Sequence, residues 1–307
     1  MLDRRSFIRN ATMSVLALPL AAKAQTLVDR GLFDEADVPF IRDHLLNLVN
    51  LTRLRAGIND LQLDELAGEV ATRHAIDMAT GRFISHWGSD GRKPFYRYAM
   101  AGGTDAIQEN ASSADNIQSL KAAGVLNDLY DMHNSMMAEL PPNDGHRKTI
   151  LDPYHTHVGF GIALRERSLR LDELFLARYI RFERFVNSAK PKSSVAIEGR
   201  LLNPSHFLNQ VDVYYEPFPT PPTIEWLRVP RSVSLPQERR ILRPYLAAPI
   251  RYTDGSQGDF DWARDGKFRL KVKLFRAEPG IYTALFWVRR VPAEKGFPGG
   301  QVCIVSQ

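Results

Sequence analysis

Gly145-His146-Arg147-Lys148-Thr149-Ile150-Leu151, followed at a short interval by Val158-Gly159-Phe160-Gly161, is the stretch from which the fold of this chain is read. Three shorter phrases precede it: Ser85-His86-Trp87-Gly88, Gln108-Glu109-Asn110 and Met136-Met137-Ala138-Glu139. Four residues in these phrases carry chemistry, namely His86, Glu109, Glu139 and His146. Two imidazoles and two carboxylates from separate parts of a chain cannot meet by local structure. If they meet, a fold gathers them, and the expected product is a polar cavity able to hold a metal ion.

Outward from these phrases, apolar residues recur at helical spacing from Val38 through Phe40, Ile41, Leu45, Leu48, Val49 and Leu51, ending at Gly57. A second helix is expected from Asp64, as N-cap, to about Thr80, with Gly81 as its stop. Residues 116–140 read as a third, with Gly124 as a weak point and Pro141-Pro142 as terminator. Residues 156–164 and 174–182 read as strands.

The order and spacing of the motifs resemble the CAP superfamily, shared by cysteine-rich secretory and plant pathogenesis-related proteins. The resemblance covers residues 38–186. It includes Asn50, Arg53 and Gly57, then Leu63-Asp64, His74-Ala75-Ile76-Asp77-Met78, His86, Glu109-Asn110 and the two stretches quoted first. It implies an α-β-α sandwich in which two histidines and two glutamates face one central cavity, carried here onto His86, Glu109, Glu139 and His146. Met136 departs from the pattern, standing where the family usually has Trp. Members bind metals, sterols or other lipids, and protein partners. No general reaction is attached to the superfamily.

Beyond residues 189–194 (Ala-Lys-Pro-Lys-Ser-Ser), a polar, proline-containing linker candidate, helical periodicity disappears. Alternating runs at residues 211–215, 268–274 and 281–288 are separated by turn signals such as Asp254-Gly255 and Asp265-Gly266. Short strands at this spacing predict an immunoglobulin-like sandwich, and Glu278-Pro279-Gly280-Ile281-Tyr282 resembles its tyrosine corner. The expected class is therefore α+β: a leader at residues 1–24, a CAP domain at 38–188, a linker at 189–194 and an all-β sandwich at 195–307. A length of 307 residues agrees with two domains.

Residues 4–9 (Arg-Arg-Ser-Phe-Ile-Arg), the apolar residues 11–22 and Ala22-Lys23-Ala24 have the parts of a cleavable twin-arginine export signal. Cleavage near Ala24 would place the mature chain in the periplasm or outside the cell. The leader holds a net +3 of the formal +5, so the remainder, at about +2, is too nearly neutral to argue for nucleic acid. No apolar run beyond the leader is long enough to span a bilayer as a helix. Cys303 is the single cysteine, forms no internal disulfide and reads as a small buried hydrophobe.

Neutral imidazole nitrogens and carboxylate oxygens suit zinc, with nickel, copper and cobalt also compatible. His86 and His146 are the metal-ligand candidates; an adjacent glutamate coordinates or fixes the ring tautomer. Incomplete protein coordination would leave an open, exchangeable site. Singly, each residue has a plainer reading: His86 capping backbone carbonyls, Glu109-Asn110 as turn chemistry, Glu139 solvated in a last helical turn, His146 a surface neighbour of Arg147. The joint pattern favours the cavity. His155 and His157 are expected to be solvated on one strand face, and His74 to pack or lie on the surface. No Gly-x-Ser-x-Gly elbow or phosphate-cradling loop is present. The functional expectation is an exported binding protein with a metal-capable cavity, whose partner is a protein, lipid or small molecule. A metal-dependent peptide or ester hydrolase and a lipid or sterol carrier are the alternatives.

Overall fold

The computed structural model describes residues 32–307, so the expected leader lies outside the described residues. Ile41, Leu45, Val49 and Arg53 are buried on one stride of four, which makes helix α1 (Val38–Arg55) amphipathic. Strand β1 (Gln62–Leu63) leads into helix α2 (Glu65–Gly81). Asp64 caps α2 as expected, its Oδ1 accepting from the Ala67 amide at 2.7 Å. Gly81 is not the stop itself: Arg82 makes the left-handed reversal at φ 51. Glycine is required at 81 because a Cβ there would stand 2.6 Å from the Phe83 ring.

Helix α3 (Pro94–Met100), strand β2 (Ala106–Asp115), helix α4 (Ala122–Met137) and short helix α5 (Gly145–Ile150) follow. The third helix expected over 116–140 is thus shorter at both ends. Strand β2 runs to Asp115, Asn116 turns the chain at φ 61, and the helix starts only at Ala122. Gly124 permits a close approach, since a Cβ there would lie 2.3 Å from the Ser119 side chain.

Strands β3 (His157–Arg165) and β4 (Ser168–Ala177) complete a sheet of order β1-β3-β4-β2, antiparallel except for the parallel β1–β3 pair. Alternation along β3 sorts its residues onto two faces. Val158, Phe160 and Ile162 join Ile41, Leu45, Val125 and Leu129 in the core beneath α1 and α4. Gly159 and Gly161 face α2, where added Cβ atoms would stand 2.2 Å from the Gly68 nitrogen and 2.0 Å from the Ala71 carbonyl carbon. Helix α2 therefore lies directly on the strand, and the α-β-α arrangement follows.

The strand expected over 174–182 is two strands. Strand β4 ends at Ala177, and β5 (Ile180–Arg184) pairs with a strand of the other domain. Arg178 breaks the run by bonding Asp64 Oδ2 at 2.5 Å and Asp105 Oδ2 at 2.8 Å. The Tyr179 amide then donates to the Gly299 carbonyl at 3.1 Å, and the chain crosses to the next sheet.

That region is all-β apart from one turn of helix. It comprises β6 (Ser188–Ala189), β7 (Ser194–Leu201), β8 (Phe207–Glu216), helix α6 (Ile224–Leu227), β9 (Arg239–Leu242), β10 (Asp261–Trp262), β11 (Lys267–Lys273), β12 (Gly280–Arg289) and β13 (Phe297–Ser306). Sheets of order β10-β11-β7-β5 and β6-β13-β12-β8-β9 enclose a core that includes Ile197, Val213, Phe268, Phe286 and Ile304. On β11 the alternation is complete, with Phe268, Leu270 and Val272 inside and cations outside. The tyrosine corner is present: Tyr282 Oη accepts from the Arg276 amide at 2.6 Å.

The two domains are stitched together by Gln301, whose Nε2 donates to the Phe95 carbonyl at 3.0 Å and whose amide donates to Thr104 at 2.7 Å. Cys303 is buried beside Phe95, Tyr96 and Ile281, and burial pushes its thiol up to about 12. Among the described residues no helix is long and apolar enough to cross a membrane.

Candidate functional site

Glu109 and Asn110 are successive residues of β2, so their side chains leave opposite faces of the sheet. On the Glu109 side, the loop after α2 brings in His86, whose Nδ1 lies 2.9 Å from Glu109 Oε1. Arg97 of α3 locks this pair. Its Nη2 donates to Glu109 Oε2, and its Nη1 donates to the His86 carbonyl at 2.8 Å and that of Arg92 at 2.9 Å. Burial alone would raise the Glu109 carboxyl; the Arg97 charge and the His86 bond outweigh it and hold the group at about 2.

Glu139 and His146 form a second pair. Glu139 lies just beyond α4 and not in its last turn, and its Oε1 accepts from His146 Nδ1. Its Oε2 accepts from the His146 amide at 3.0 Å and the Arg147 amide at 3.4 Å, so the carboxylate satisfies the first turn of α5. Asn110 ties this pair to β2, its Nδ2 donating to the His146 carbonyl at 3.3 Å and to Glu173 Oε2 at 3.2 Å. The structure thus joins His86 to Glu109 and Glu139 to His146. The recorded bridge between the pairs runs through the neighbouring positions 109 and 110.

Other motif residues brace these elements. The guanidinium of Arg53, fully buried, donates to the carbonyls of Asn59 (2.8 Å), Ile150 (2.7 Å) and Asp152 (2.9 Å), fixing the exit from α5. Asn50 clasps the backbone of Leu61 in both directions, at 2.9 and 2.8 Å.

Sequence reading did not anticipate the groups behind Glu109. His74 is buried, with Nε2 on the Ser85 carbonyl at 2.8 Å and Nδ1 without a partner. Asp172 is fully buried, with its carboxyl group against that of Glu109. His74, Glu109 and Asp172 offer ligand atoms all within 4.8 Å of one another, a group that could hold a cation. Burial, then the Arg97 charge, lowers the His74 imidazole to about 4. Burial, then the Glu109 charge, raises Asp172 well above the ordinary carboxyl range. The available signal was Asp172-Glu173 inside the otherwise apolar run 171–177 of a strand.

The expectation of solvated histidines at 155 and 157 fails. His155 is buried, bonds the Thr149 carbonyl through Nδ1 at 3.0 Å and stacks on Phe175; burial lowers its imidazole to about 4. His157 is half-buried, with Nδ1 2.9 Å from Thr156 Oγ1 and Nε2 3.2 Å from Arg178 Nη1. His155 serves the packing of the loop before β3, and His157 opens the strand beside Arg178.

Among the described residues, the group whose ligand atoms come together is His74, Glu109 and Asp172, and it includes neither His86 nor His146. His86 and His146 each engage a glutamate through Nδ1, so Nε2 is the ring nitrogen that each has left for another partner.

Residues 46–173 match the model of the Cysteine-rich secretory protein family, CAP, and this segment is a CAP domain. The match ends before the β-sandwich. Among solved structures, an extracellular SCP-domain protein from Bacillus anthracis str. Ames is 20% identical with a TM-score of 0.35, over 46% of this chain and 41% of that one. An outer surface protein from Borrelia burgdorferi is 20% identical with a TM-score of 0.38, over 48% of this chain and 98% of that one. The CAP domain of enterococcal PrgA is 11% identical with a TM-score of 0.36, over 51% and 70%. No curated protein matches the sequence.

Proposed function

We propose that this chain is an exported binding protein whose CAP domain holds a divalent metal through His86 and His146. The observation that carries the reading is the repeated carboxylate–imidazole pair, each glutamate bonded to Nδ1 of its histidine. Outer partners of this kind orient metal-bound imidazoles. Imidazole and carboxylate donors suit zinc. When bound, the ion would supply an exchangeable Lewis-acid position; Glu109, Glu139 and Arg97 hold the rings in place. The leader at 1–24 supports export, and the division at 38–188, 189–194 and 195–307 is the working assignment of domains. The natural partner is a protein, lipid or small molecule.

The hydrolase alternative asks Glu109 or Glu139 to serve as general base. A carboxyl held at about 2 is a poor base near neutrality, which counts against Glu109 and favours the binding reading. The test is elemental analysis of folded protein purified before export. Wild type is expected to carry close to one metal per chain, and the His86→Ala/His146→Ala variant little. Equal metal in both would sink the assignment, and loss only on His74→Gln or Asp172→Asn would move the ion to the inner group. Chelator-sensitive turnover of peptide or ester libraries, lost in His86→Ala, would replace binding by catalysis. Bound lipid in an organic extract, seen by mass spectrometry, would point to a carrier.

A further inference from the structure

Trp87, the residue after His86, lines a different space. Between the CAP-domain loop that follows it and the end of β8 lies a cavity of about 640 Å³, within the range of small-molecule sites. One wall is Trp87, Lys93 and Tyr96; the other is Glu216, Trp226 and a strap at residues 217–222, Pro-Phe-Pro-Thr-Pro-Pro. Trp87 and Trp226 meet edge to face at 5.2 Å, closing the two walls upon each other. At the mouth, Phe218 and Trp226 are left 41% and 36% exposed.

The strap is built to be stiff. Four of its six residues are prolines, which fix φ and withdraw backbone donors. It lies flush on Gly91, whose φ of +80 suits glycine and whose Cβ, if present, would stand 2.3 Å from the Thr220 carbonyl oxygen. The space is therefore preformed by both domains.

Its polar part is a single ion pair. Lys93 Nζ donates to Glu216 Oε2 at 2.5 Å, and the side chains are 21% and 18% exposed. Among the described residues the remaining Lys93 N–H groups and Glu216 Oε1 have no hydrogen-bond partner. A donor beside an acceptor, set in ring-lined walls, repels neither sign selectively and rewards a neutral group that accepts and donates side by side. An amide does both. A carboxylate would face Glu216, an ammonium would face Lys93, and an alkyl chain would leave the pair without new partners.

We propose that this seam cavity binds a short peptide segment bearing aromatic or proline rings, with one neutral amide seated on Lys93 and Glu216. The site would give the sandwich domain a direct part in ligand recognition, and it is independent of the metal reading. The probe is N-acetyl-prolyl-phenylalanine amide, titrated calorimetrically into the metal-free full chain. A saturable one-to-one isotherm is expected. Trp226→Ala should weaken it at least tenfold, as should Lys93→Met/Glu216→Leu, which removes the ion pair without orphaning either charge. Gly91→Ala, which displaces the strap, should weaken it as well, whereas Lys267→Ala, exposed on β11 and away from the cavity, should bind as wild type. Thermal unfolding of each variant separates lost binding from lost fold. Absence of saturation, wild-type affinity in both Trp226→Ala and the double variant, or tighter binding of hexadecanoate than of the peptide amide would overturn the proposal.

Discussion

Glu109 and Glu173 lie across neighbouring strands on opposite faces of one sheet, both with almost no solvent exposure, yet their chemistry is opposite. Glu109 has the Arg97 guanidinium against it and is held at about 2. Glu173 has only the Asn110 amide, and burial pushes it up to about 7. The Arg97 charge, with the His86 bond behind it, separates the two behaviours. The His86 end of the site is thus a fixed negative charge with a fixed counterion. The face toward His146 carries a carboxyl that can change state near neutrality.

Removing the cation is the largest way to break this contrast. Arg97→Met should cost about 3–5 kcal/mol at pH 7 in urea unfolding, because Glu109 is left buried without its counterion, with only His86 Nδ1 on Oε1. In wild type the Glu109 contribution is fully present above about 4.5 and disappears as pH falls towards about 2. The variant's deficit should therefore be greatest at neutral pH and shrink in acid, where Glu109 can protonate.

A smaller effect sharpens the other half. The raised Glu173 carboxyl favours the folded state below about 4.5, and this advantage is lost as pH rises through about 7. Glu173→Gln should leave stability at pH 4 unchanged and raise it at pH 8 by about 1–3 kcal/mol, read from paired denaturant curves. Equal curves at pH 8 would show that burial does not control this group.

The smallest effect is a control. Arg82 and Glu166 form the same kind of ion pair at 2.7 Å, but their side chains are 63% and 69% exposed. Arg82→Ala should shift stability by no more than about 0.5 kcal/mol. A loss comparable to that of Arg97→Met would mean that burial is not what gives the inner pair its weight.

Legibility in the sequence followed the same physics. The four motif residues could be named because local phrases surround them, and the structure pairs them as His86–Glu109 and Glu139–His146. The sandwich strands could be read because β11 alternates without interruption. Arg97, His74 and Asp172 could not, because their roles depend on which groups the fold sets against them and no spacing along the chain encodes that. The crossing at Arg178 was hidden in the same way: an aromatic run looked like one strand until two distant aspartates claimed its arginine. The helix over 116–140 was overdrawn because periodicity cannot see that β2 extends to Asp115.

The Gln301 tie has a consequence in time. Its side chain reaches Phe95 across 206 positions of sequence, at the start of the helix that carries Arg97. At synthesis rates of about 5–20 residues per second, the Phe95 carbonyl waits roughly 10–40 seconds for position 301 to be made. That hydrogen bond, and the contact it makes between the sheet of β13 and the start of α3, can therefore form only when synthesis is almost complete.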